Sequence, residues 1–141
     1  LTLDFEPFNN LINRGDPLSP ITLQDFGCLK EGVFCGVFDG HGPHGHTVAQ
    51  LVRDFLPQKL ASNLKSLQTS VHEKAFSVWE KLFLESFLMM DHELQQRPNI
   101  DCFCSGTTAV TLIKEGVGRW VCLVLIGLGR HRIFLSHDKN V

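Results

Sequence analysis

Apolar residues recur at steps of three and four from Val48 onward: Val48, Ala49, Val52, Phe55, Leu56 and Leu60. Gln50, Arg53, Asp54 and Lys59 fall on the opposite side. That spacing predicts a helix from about His46 with one apolar stripe. Pro57 has no N–H and crowds the preceding turn, so a kink or an early end near Leu56 is expected. A second stripe, Ala75, Trp79, Leu82, Phe83, Phe87, Met90 and Leu94, predicts a helix from about Val71 to Leu94. Ser70 and Glu73 form its capping box, and Arg97-Pro98-Asn99 ends it.

The period then changes to two. From Cys104 to Ile113, Thr108, Val110 and Leu112 alternate with Ala109, Thr111 and Ile113, up to a turn at Lys114-Glu115-Gly116. Trp120 to Ile126 and Arg132 to Leu135 read as further strands. Val33 to Phe38 has little polar content, as expected of a strand covered on both faces. Phe26 to Gly32 is a loop that turns at Lys30-Glu31-Gly32. Residues 1–25 are expected to be an irregular N-terminal segment, since Pro7, Gly15, Pro17 and Pro20 interrupt any period before Thr22. The order strand, helix, helix, strand, strand implies an α+β fold with the helices on one face of a sheet.

Composition narrows the function classes. A length of 141 residues suits one domain. With 43% apolar and 20% charged residues, it is that of a soluble globular protein. A net charge of -2 offers no basic patch for nucleic acid or an anionic membrane. The apolar run Val121–Ile126 is too short to span a bilayer. The five cysteines, Cys28, Cys35, Cys102, Cys104 and Cys122, include no Cys-x-x-Cys pair. They are expected to be buried, reduced thiols, which places the chain in the cytosol or nucleus.

The candidate chemistry sits where the first strand ends, in Val37-Phe38-Asp39-Gly40-His41-Gly42-Pro43-His44-Gly45-His46. A carboxylate, a carbonyl without a neighbouring Cβ and a titratable imidazole arrive together. Hard cations take oxygen ligands, so Asp39 and the Gly40 carbonyl suit Mg²⁺ or Mn²⁺. His41 suits proton transfer near neutral pH. A zinc site of Asp39, His41, His44 and His46 is the competing arrangement, although this order does not match the usual metallohydrolase spacing. His46 is expected to cap or pack at the helix start, with His44 in solvent. Ser105 has no base near it in sequence, so it reads as part of a packed strand rather than as a nucleophile.

Asp39-Gly40-His41-Gly42 resembles the signature of the metal-dependent protein phosphatases of the 2C class. The longer string Val33 to Ala49 looks like the plant branch of that family, and Ser105-Gly106-Thr107-Thr108-Ala109-Val110 is a second match. The resemblance implies a four-layer α-β-β-α sandwich, two Mg²⁺ or Mn²⁺ ions and phosphoprotein substrates. It implies that Asp39 and Gly40 are metal ligands and that His41 is the general acid. It runs from about Phe26 to Gly116, so residues 26–141 are expected to form a partial catalytic domain that diverges after about 116. The family's upstream metal-contacting element has no counterpart in residues 1–23. Arg130 stands where its downstream hairpin carries an acid, and its two later aspartates are absent. An N-terminal piece or truncated product is therefore expected, either an incomplete protein serine/threonine phosphatase or a non-catalytic, partner-binding pseudophosphatase.

Overall fold

Phe34, Gly36 and Phe38 point to one side of strand β2 (Val33–His41), and both aromatic rings are wholly buried. Strand β3 (Gly106–Glu115) lies antiparallel beside it, and its odd-numbered residues Thr107, Ala109, Thr111 and Ile113 are buried while Val110 is exposed. The alternation expected from the sequence is the one observed. Two helices connect these strands: α1 (Gly45–Ser66) lies on that face, and α2 (Phe76–Gln95) packs against α1. Strand β1 (Leu18–Gln24) pairs with the other side of β2, while β4 (Arg119–Ile126) and β5 (Arg132–His137) follow β3. The sheet runs β1-β2-β3-β4-β5, antiparallel throughout. The computed structural model describes residues 18–29, 31–67, 76–116, 119–126 and 132–137.

The stripe on α1 is buried from Val48 through Leu56 and Leu60 to Leu64. On α2, Trp79, Leu82, Phe83, Phe87, Met90 and Leu94 are buried against it. Ring centroids 6.4 Å apart link Trp79 to Phe83, and Phe83 to Phe87. A polar bridge crosses this apolar seam. Asn63 Nδ2 donates to Ser86 Oγ at 2.9 Å, and that hydroxyl donates to the Leu82 carbonyl at 2.8 Å. The Ser86 hydroxyl both accepts and donates, which is what allows it to stay buried.

Three expectations need correction. Pro57 neither ends nor divides α1, which continues for nine residues beyond it to Ser66. The ring is buried between Leu56 and Leu60 on the core side, so packing outweighs the missing hydrogen bond, a cost of about 3 kcal/mol. Leu18 to Gln24, expected to be irregular, is a strand. Pro20 is tolerated because β1 is an edge, where an outward N–H is not required. Finally, β2 is covered only in part on the face away from the helices: Cys35 is buried there, Val33 and Val37 are half-buried, and Val110 beside them on β3 remains 45% exposed. The expected capping box Ser70/Glu73, the expected irregularity of residues 1–17 and Arg130 lie outside the described residues. Among those described, no helix is long and apolar enough to cross a membrane.

Candidate functional site

Residues on β2 alternate sides, so Asp39 and His41 share the face away from the helices, and both are exposed. They stand at the end of the ladder: Asp39 pairs with Thr108, Gly40 with Thr107 and His41 with Gly106. Gly40 faces the helix side. A Cβ there would run into the carbonyl of Gly45, the first residue of α1. Only glycine lets the strand end and the helix start meet backbone to backbone.

The next two residues turn the chain. Gly42 has φ +82°, and a Cβ on it would overlap the Cys104 carbonyl. Gly45 N–H donates to the Gly42 carbonyl at 3.0 Å. His44 takes the N-cap position without a side-chain cap, its carbonyl accepting Val48 N–H at 3.0 Å. Its own N–H donates to Ser105 Oγ at 2.9 Å, and Ser105 is only 4% exposed. Ser105 is therefore tied to the candidate turn, a link hidden from sequence reading by a separation of 61 positions. The available signal was the glycine spacing at 40, 42 and 45, which announces close backbone approaches but not their partners.

The histidines separate. His44 is exposed, as expected. His46 does not cap the helix; its Nε2 lies 2.9 Å from Gln50 Nε2 on the exposed side of α1. Among the described residues, no group of three His, Cys, Asp or Glu side chains converges. The histidine turn thus lacks the geometry of a zinc site. The same finding bears on two hard cations. Asp39 offers one carboxylate and Gly40 one carbonyl, and these donors alone do not fit a two-ion centre.

The thiols also differ from expectation. Cys35 is buried, and burial pushes its thiol up, with a hydrogen bond from Thr22 acting against that. Cys28 and Cys104 are exposed. The negative charge of Asp101 pushes the Cys104 thiol up as well, so it is a poor nucleophile beside the turn. A cleft of about 550 Å³ lies elsewhere, between the end of β1 and α1, lined by Leu23, Phe26, Asp54 and Pro57. It contains none of the candidate residues.

Sequence comparison places relatives at this point. No protein-family model matches the chain. It is 45% identical over 144 residues to probable protein phosphatase 2C 1 of Arabidopsis thaliana, covering 85% of this chain and 30% of the relative. It is 50% identical over 96 residues to probable protein phosphatase 2C 64 of Oryza sativa subsp. japonica, covering 68% of this chain and 22% of the relative. Probable protein phosphatase 2C 52 of Arabidopsis thaliana is 42% identical over 148 residues, with 85% and 30% covered. A continuous match to 85% of the chain necessarily includes Asp39 and Ser105. The chain spans about a third or less of the length of these curated relatives. Among solved structures, a PPM Ser-Thr phosphatase from Mycobacterium smegmatis aligns with 79% of this chain and 47% of its own, at 18% identity and a TM-score of 0.40.

Proposed function

This chain being a relative of the plant protein phosphatases 2C, we propose that it carries the corner of a protein serine/threonine phosphatase that presents Asp39, Gly40 and His41. The observation that supports this best is the preformed turn: two exposed functional side chains on one sheet face, with the intervening glycine locked against α1. In that role Asp39 and the Gly40 carbonyl contribute oxygen ligands, and Mg²⁺ or Mn²⁺, when bound, supplies charge neutralisation and an activated water. His41 is the proposed proton donor to the departing serine or threonine oxygen of a phosphoprotein. The described residues do not complete the ligand set, so further carboxylates from outside them belong to the proposal.

The half-open sheet supports a place in a four-layer α-β-β-α sandwich, in which a second sheet covers Val37 and Val110. The free thiols at Cys28, Cys35, Cys102 and Cys104 support a reducing compartment, cytosol or nucleus. The partner-binding, non-catalytic alternative is favoured only by the shortage of metal donors.

A chimera tests the reading. The aligned segment of this chain replaces its counterpart in the Arabidopsis relative, and hydrolysis of a phosphopeptide is measured with and without Mn²⁺. Metal-dependent turnover that Asp39→Asn abolishes is expected. A folded chimera that is inactive beside an active parent, or one indifferent to Asp39→Asn, contradicts it.

A further inference from the structure

Among the described residues, Ser105 is the single side chain hydrogen-bonded to the backbone of residues 39–45. Around it the turn is held by backbone: Gly40 rests on Gly45, Gly42 on the Cys104 carbonyl, and the Gly42 carbonyl accepts Gly45 N–H at 3.0 Å. That bond lies within the turn, whereas the 2.9 Å bond from His44 ties it to the chain entering β3. Ser105 itself is held. It precedes Gly106, the residue paired with His41, by one position. Behind it, the Asp101 carboxylate accepts the N–H groups of Phe103 at 3.0 Å and Cys104 at 3.4 Å, which shapes the loop it leaves. The hydroxyl is buried, so little water can replace it as acceptor. Helix α1 has no side-chain cap, which leaves His44 N–H as the point where the helix start is pinned to the sheet.

We infer that Ser105 is a positioning residue: through His44 N–H it sets where the strand end carrying Asp39, Gly40 and His41 stands relative to α1. The inference rests on the reading of that turn as a reaction site. Ser105 is only 4% exposed, so its role is to hold the turn rather than to meet a substrate.

The test is residue-resolved amide hydrogen exchange by NMR on the 141-residue chain, comparing wild type, Ser105→Ala and Ser105→Thr. Ser105→Ala is expected to speed exchange at His44 and the adjoining turn about tenfold, the equivalent of one lost hydrogen bond. Phe34 and Ala109, in the middle of the sheet, keep their rates, and Ser105→Thr restores the turn because it keeps the acceptor. Unchanged exchange at His44, or a rise spread evenly over the sheet, overturns the inference; the second result makes Ser105 a general stabiliser. Line broadening by added Mn²⁺ at the Asp39 and Gly40 amides is read on the same samples. Broadening that Ser105→Ala weakens and Ser105→Thr restores supports positioning of a site. Equal broadening in all variants overturns it. No broadening in wild type overturns the site reading of the turn, and the functional role of Ser105 with it, even when the exchange pattern is as expected.

Discussion

The helical layer and the glycine turn are built on opposite rules. Between α1 and α2, order comes from many side chains repeating at helical spacing, and no single contact decides the arrangement. At the turn, order comes from a few places where a side chain must be missing, plus one hydroxyl. Redundancy makes the layer tolerant of a change in shape at constant volume. The turn has no such reserve, because backbone meets backbone at Gly40 and Gly42. A scaffold that can be repacked thus carries a candidate site that cannot.

The largest effect is expected in the layer, and only when volume is removed. Phe83→Ala should cost about 3–5 kcal/mol in urea unfolding, whereas Phe83→Leu should cost far less. Equal losses for the two would break the claim of tolerance. In the turn, the smallest possible addition should suffice: Gly40→Ala is expected to cost about 3 kcal/mol, because the new methyl meets the Gly45 backbone, which cannot swing aside. A unfolding midpoint within error of wild type would show that the turn has slack and would remove the contrast.

The layer was legible in the sequence and the turn only in part. Steps of three and four placed both helices, and period two placed β3, because burial on one face imposes those spacings directly. Asp39, Gly40 and His41 were legible as residue types at a strand end. The grip of Ser105 was not, since contacts between distant segments leave no local period. Pro20 and Pro57 misled for a related reason: local propensity marks them as breakers, but an edge position and a buried helix face override it. Nor could spacing show that helices would cover only one side of β2.

Smaller effects sharpen the same comparison within the layer. Thr111 is wholly buried on the helix side of β3, and its hydroxyl has no partner among the described residues. Thr111→Val, nearly identical in shape, should stabilise by about 1 kcal/mol in urea unfolding. A loss of stability there would reveal a hydrogen bond that the packing account omits.

The weakest expected effect is electrostatic. Lys59 hydrogen-bonds Glu93 between the helices, with Arg97 at 3.5 Å on the other oxygen, and holds its carboxyl below the usual carboxylate range. A lowered folded value means that the contribution is present above the ordinary value and is lost as pH falls through the folded one. About a third of the Glu93 side chain is exposed, so screening keeps this to about 0.5 kcal/mol. Glu93→Gln should therefore lower the unfolding midpoint slightly at pH 7, by an amount that shrinks as pH falls below the ordinary carboxylate range. A difference that persists undiminished in acid would assign the effect to packing instead.

The central claim is that the described residues assemble the phosphatase-like turn without completing a two-ion centre around it. The direct measurement is hydrolysis of p-nitrophenyl phosphate by the purified 141-residue chain in millimolar Mn²⁺, beside Asp39→Asn. The account expects both proteins to run at the metal-only background. A clear Mn²⁺-dependent rate in the wild-type chain that disappears in Asp39→Asn would contradict it, and would show that the chain supplies a working centre by itself.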